Sequence, residues 1–99
     1  MSEPCYVYVL VNPADGKPFY IGISNNPWYR FYSHQHDRCS AAWDFLNFLT
    51  ENEGFERNQI LTIYRKCESR SEAFDLEHRL VTSTPGLLNR PYRRGRAYA

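Results

Sequence analysis

The chain has no apolar run long enough to cross a membrane, no internal repeat and no low-complexity stretch. Its first residues, Met-Ser-Glu-Pro-Cys, lack the basic and apolar regions of a secretory leader, so an intracellular protein is expected. Cysteine is scarce and odd in number: Cys5, Cys39 and Cys67 stand far apart, which suits reduced thiols better than disulfides. No Cys-x-x-Cys or His-x-x-x-His pairing is present, so a zinc site assembled from His34, His36, Cys39 and Cys67 has little support. Lysine is also scarce, two against ten arginines, and no acidic residue follows Glu77.

What is present is enough for one small core. At 99 residues and 42% hydrophobic content, the chain reads as one folded domain over 1–91 followed by a basic tail over 92–99. The net charge of +1 hides a division: residues 1–77 sum to −4, while the last 22 sum to +5 through Arg79, Arg90, Arg93, Arg94 and Arg96. The planar fork of arginine suits bidentate phosphate contacts, so Arg90, Arg93, Arg94 and Arg96 point to a polyanionic partner. A merely solvated tail is the plainer alternative.

Tyr6-Val7-Tyr8 and Tyr20-Ile21-Gly22 flank Asn12-Pro13-Ala14-Asp15-Gly16. Asn-Pro and Asp-Gly are strong turn dipeptides, and they predict an antiparallel hairpin with strands over 4–11 and 18–24. Alternation then puts Val7, Val9 and Val11 on one face with Phe19, Ile21 and Ile23. Tyr8 and Tyr20 fall together on the other face, beside Gly22, which leaves room for a ligand. Ordinary cross-strand tyrosine pairing accounts for the hairpin equally well when it is considered alone.

Ser24-Asn25-Asn26-Pro27 predicts a helix over 27–37. There Arg30 and His34 lie about 40° apart, opposite Trp28, Phe31 and Tyr32, so one face packs and the other presents a guanidinium and an imidazole. A second, structural helix is expected over 40–53, ending near Gly54, and a third strand over 58–67. Ser69-Arg70-Ser71-Glu72 predicts a third helix over 71–83, stopped by Thr84-Pro85-Gly86. On that helix Glu77 sits mid-face among Ala73, Phe74, Leu80 and Val81, about 40° to 60° to either side. A carboxylate facing a core costs several kcal/mol, roughly, unless it is paired, neutralised or bound to a metal. A structural ion pair with an arginine is one answer and a metal ligand is the other. Asn89 in Leu87-Leu88-Asn89 orients a ligand or closes a turn.

Tyr6-Val7-Tyr8, Tyr20-Ile21-Gly22, Arg30, His34, Glu77 and Asn89 together resemble the GIY-YIG endonuclease superfamily over about residues 5–91. Leu76-Glu77-His78 and Pro85-Gly86-Leu87-Leu88-Asn89 look like segments of its excision-repair members, and Asp15 to Gly22 look more like its LEM-domain and ankyrin-repeat branch, which cuts branched DNA. Tyr6 replaces the family glycine, Val7 replaces isoleucine, and Ile23 stands where some members carry lysine. The missing lysine shifts more of any proton transfer onto His34.

The resemblance implies an α/β (α+β) domain with a three-stranded antiparallel sheet flanked by helices. It also implies Mg²⁺- or Mn²⁺-dependent hydrolysis of DNA phosphodiesters by one metal, on double-stranded or branched DNA. Within that expectation Glu77 holds the ion and Arg30 neutralises charge on the phosphate. Tyr8, aided by His34, is the candidate general base. Tyr20 hydrogen-bonds the phosphate or the water, a division with Tyr8 that could be reversed, and Asn89 buttresses the site. Gly22 and the tail arginines would lie against DNA. A module of the same fold that binds nucleic acid without cutting is the main rival, and a structural or protein-interaction domain without metal is a second. Specificity would come from DNA shape, a homodimer or a targeting partner.

Overall fold

The computed structural model describes residues 4–89. Its elements run β1 (Cys5–Asn12), β2 (Lys17–Ser24), α1 (Pro27–His36), α2 (Trp43–Asn47), α3 (Arg57–Ile60), β3 (Leu61–Cys67) and α4 (Arg70–Ser83), with a π-helical turn over Phe48–Asn52. The three strands form an antiparallel sheet in the order β2-β1-β3, so the strand carrying Tyr8 is central and the strand carrying Tyr20 lies at an edge. The α+β architecture and the three-stranded antiparallel sheet expected from the sequence are present.

Local chemistry explains most boundaries. The hairpin turn closes through the Gly16 N–H donating to the Asn12 carbonyl at 2.8 Å, with Gly16 at φ +73°. The side-chain Oδ1 atoms of Asn12 and Asp15 cap it further, accepting from the Ala14 and Lys17 amides at 2.9 Å each. Asn26 caps α1 by accepting from Tyr29 N–H, with Pro27 opening the first turn. Ser69 caps α4 by accepting from Glu72 N–H at 3.1 Å.

Both faces of the sheet are covered, which the single apolar face expected for the hairpin did not anticipate. On one side Tyr8, Leu10 and Phe19 pack with Phe31 of α1, Ala42, Leu46 of α2, Leu49 and Ile60. On the other, Cys5, Val7, Ile21 and Cys67 pack with Ala73 and Val81 of α4. Tyr8 and Tyr20 therefore share a face, as alternation requires, but that face is core. Phe19 departs from the expected triplet. Leu10 pairs with Tyr20 and Val11 with Pro18, so Phe19 is the extra residue of a β-bulge and its ring joins the Tyr8 side. A second irregularity, between Val7 and Tyr8 opposite β3, leaves Tyr64 unmatched.

Two further elements differ from expectation. The helix expected over 40–53 starts at Trp43 and widens into the π turn, which ends where Gly54 takes φ +73° and Phe55 N–H reaches back to the Leu49 carbonyl at 3.0 Å. Strand β3 starts at Leu61 because Glu56 and Gln59 form a reciprocal capping box that winds Arg57–Ile60 into a helical turn. All three cysteines are free; Cys5 and Cys67 face each other across β1 and β3, buried, while Cys39 is exposed. Among the described residues no helix is long and apolar enough to cross a membrane, and no three His, Cys, Asp or Glu side chains converge on an ion, so the four candidate zinc ligands do not form a site.

The segment after α4 returns along β2. Leu88 N–H donates to the Phe19 carbonyl at 2.8 Å, and the Asn89 carboxamide grips Ile21 twice, donating to its carbonyl at 2.7 Å and accepting from its N–H at 3.3 Å. Asn89→Ala should therefore cost about 1–2 kcal/mol in chemical denaturation and speed hydrogen exchange at the Ile21 amide. Unchanged exchange there would show that the strap does not hold the strand.

Candidate active site

Burial of Tyr8 starts the site. The residue is 1% exposed, and its phenol crosses β2 at Gly22, where an added Cβ would come within 2.5 Å of Tyr8 Oη and 3.0 Å of Tyr20 Cε1. The space above Gly22 thus belongs to Tyr8 rather than to a ligand, correcting the expected role of this glycine. A buried hydroxyl needs a partner, and Tyr8 Oη lies 2.9 Å from His34 Nε2. The other ring nitrogen, Nδ1, hydrogen-bonds Ser40 Oγ, which also accepts from the Ala42 N–H at 3.2 Å. Tyr20 packs against both, with ring centroids 6.3 Å from Tyr8 and 4.7 Å from His34.

Helix α1 is consequently rotated from the expected orientation. Pro27, Phe31 and His34 form its buried face, while Trp28 and Tyr32 are exposed. His34 is 1% exposed instead of being presented on an open face, because its hydrogen bonds to Tyr8 and Ser40 satisfy both nitrogens and Phe31 lies one turn away. Arg30 stands at the rim of this face, half-buried, and donates to Ser33 Oγ at 3.2 Å.

The electrostatics follow from that packing. Burial is the largest cause raising the Tyr8 phenol well above the ordinary range; Tyr20 and Glu77 push the same way, and the Arg30 guanidinium opposes them by charge and hydrogen bonding. Tyr20 is raised by burial and by Glu77, against Arg30 and a hydrogen bond with Tyr8. Burial, then Arg30, lowers His34 to about 4, with Asp37 opposing. Glu77 is half-buried, and its carboxyl is raised by burial against the pull of Arg70. Although α4 covers the opposite face of the sheet, Glu77 is close enough for its charge to be felt by both phenols.

Arg30 of α1 and Glu77 of α4 are thus each within electrostatic reach of Tyr8 on β1 and Tyr20 on β2, with His34 behind Tyr8. Asn89 sits apart from that set in its role: its carboxamide is spent on the Ile21 backbone, between Tyr20 and Gly22, so it positions the strand rather than touching a reacting group. Arg90, Arg93, Arg94 and Arg96 lie outside the described residues. Sequence reasoning missed Ser40 and Ser33. Ser33 is three residues from Arg30 and readable from helical spacing, whereas Ser40 meets His34 only because the 37–42 turns fold back, which no local signal specifies.

A three-stranded sheet held between helices, with tyrosines on two strands, an arginine on the first helix and an acid on the last, is the arrangement of a small domain of a nuclease family. The family model of the GIY-YIG catalytic domain matches residues 4–85, and the chain belongs to that family. Comparison with curated proteins and with solved structures gave no significant match.

The lowered His34 makes stability pH-dependent. Unfolded, the imidazole titrates at its ordinary 6.5; folded, at about 4. As pH falls between these values the unfolded chain binds a proton that the folded chain refuses, so stability present at neutral pH is lost, on the order of 3 kcal/mol in full. Glu77 carries the opposite slope, because a raised carboxyl favours folding at low pH and loses that contribution as pH rises. The His34 share is therefore the difference between wild type and His34→Gln in denaturation midpoints from pH 7 to pH 4.5, and parallel curves would contradict a buried neutral imidazole.

Proposed function

We propose that this chain is a divalent-metal-dependent endonuclease that hydrolyses DNA phosphodiester bonds by a one-metal mechanism. The observation carrying this reading is that one guanidinium and one half-buried carboxyl act on the same two protonated phenols from separate elements. A phosphodiester displacement needs a cation on the phosphate, hydrogen-bond donors around its oxygens and an acid that can carry a metal.

The donor set fits a hard divalent ion. Glu77 offers one partly desolvated carboxylate, and no group of three His, Cys, Asp or Glu side chains forms among the described residues, so Mg²⁺ or Mn²⁺ held by Glu77 would keep much of its water. When bound, the ion would supply Lewis acidity to the phosphodiester. Arg30, the cation that both phenols feel, neutralises charge growing on the phosphate. Tyr8 would act as general base for the attacking water as its phenolate, a form that the Arg30 guanidinium favours against burial, with His34 Nε2 2.9 Å away as its hydrogen-bond partner. An imidazole lowered to about 4 is a poor acceptor for a phenolic proton, so His34 serves to orient Tyr8. Tyr20 donates to a phosphate oxygen or orients the water. The tail arginines Arg90, Arg93, Arg94 and Arg96 would add sequence-independent affinity for DNA.

The test is incubation with supercoiled, linear, branched and single-stranded DNA, each with Mg²⁺, Mn²⁺ or chelator. Strand cleavage with either metal and none with chelator is expected. DNA binding without cleavage on any substrate would make the chain a binding module. Glu77→Ala should lower metal-dependent cleavage by about 10²-fold or more with the thermal midpoint retained, and a variant that still nicks DNA at the wild-type rate would remove Glu77 as the metal ligand. Arg30→Ala should lower kcat by about 10²–10³-fold while DNA affinity falls by less than about tenfold. A loss confined to affinity would make it a docking residue.

A further inference from the structure

Cys5 and Cys67 take no part in the pocket, yet the fold brings them together. They are direct partners in the antiparallel register of β1 and β3, although they are remote in the chain. Both belong to the apolar cluster under α4, with Val7, Ile21, Ala73 and Val81, so both thiols project to the same side of the sheet. At 3% and 1% exposure neither meets bulk water, and both are free. Directly opposed residues of an antiparallel pair have Cα atoms about 4.5–5.5 Å apart, and a disulfide spans about 4.4–6.8 Å. Register therefore meets the backbone condition for a bond between them. A negative charge on Cys5 would be felt by Cys67, which puts the two sulfurs in electrostatic reach.

Position decides whether a reagent reaches them. Cys5 is the first residue of β1 and Cys67 the last of β3, so the pair closes one end of the sheet. Terminal pairs open at lower cost than central ones, so exchange at this end does not require global unfolding. Cys39, the exposed thiol, has no such partner in the register.

We infer that Cys5 and Cys67 are the site of a reversible disulfide that staples β1 to β3 when a small-molecule disulfide is present. One cysteine thiolate attacks a sulfur of that reagent, forming a mixed disulfide and expelling one thiolate. The second cysteine, having given up its proton, attacks the protein-side sulfur and expels the other thiolate. Both cysteines are oxidised, and the reagent is reduced to a pair of thiols that carry the protons away. The bond ties the strand of Tyr8 to the strand that leads into α4, and it closes a loop through most of the chain, which restricts the unfolded state.

The experiment equilibrates the folded Cys39→Ser chain, which lacks the exposed thiol, in glutathione buffers from fully reduced to largely oxidised. Remaining thiols are then alkylated in denaturant and located by mass spectrometry. Cys5 and Cys67 should disappear together, with one cross-linked peptide pair and no retained glutathione. The thermal midpoint should rise by at least about 5 °C and return on treatment with dithiothreitol. At fixed reduced glutathione, the bond should form at a glutathione disulfide concentration at least about tenfold lower without urea than in unfolding urea, because native register brings the sulfurs together. Cys5→Ala and Cys67→Ala, each made beside Cys39→Ser, should show no oxidant-dependent rise. Both thiols recovered free from the most oxidised buffer, or a glutathione adduct in place of the link, overturns the inference. A link that lowers the midpoint, or one that forms as readily in urea, overturns it too, because the native register would then not favour the bond.

Discussion

The hydrogen bond between Tyr8 and His34 is the constraint around which this domain is arranged. A phenol on the central strand and an imidazole on the first helix are both buried, and neither has water to fall back on. Their pairing sets the rotation of α1, which then sends Phe31 into the core and Tyr29 and Tyr32 out of it. It also requires a residue without a side chain at Gly22, because the phenol crosses the neighbouring strand there. Among the described residues no buried side-chain nitrogen or oxygen lacks a partner, so the network is closed.

That closure has an electrostatic consequence. Burial favours the uncharged form of every group it touches, raising both tyrosines and Glu77 and lowering His34. Arg30 is the one side chain that opposes the trend on both phenols. The pocket is therefore a set of groups held away from their charged states, opposed by Arg30 at the phenols and by Arg70 at Glu77. Anything bringing positive charge beside Glu77 relieves part of that cost, and anything anionic beside Arg30 competes for the guanidinium.

Much of this was legible in the sequence because it is written in short-range chemistry. Turn dipeptides and helix caps act over three or four residues, and they located the hairpin, α1 and α4 within a residue or two. The face-sharing of Tyr8 and Tyr20 follows from alternation, and the misplaced acid at Glu77 from helical spacing. The bulge at Phe19, the inward turn of His34 and its bond to Ser40 were not legible. Each is decided by what packs against it from a distant part of the chain, and a helical wheel cannot say which side of α1 the sheet will claim. The capping box of Glu56 and Gln59 was local and readable, but the apolar run beyond it looked like uninterrupted strand.

The returning strap over Leu87 to Asn89 has a consequence beyond the site it supports. Strand β2 is an edge, and an edge offers its amides and carbonyls to any other extended chain. Here the Phe19 carbonyl is taken by Leu88, and both backbone groups of Ile21 are taken by the single carboxamide of Asn89. A side-chain amide that mimics one residue of a missing fourth strand thus guards this edge of the sheet against self-templated fibril growth, leaving the tyrosine beside it free of crowding by a neighbouring copy.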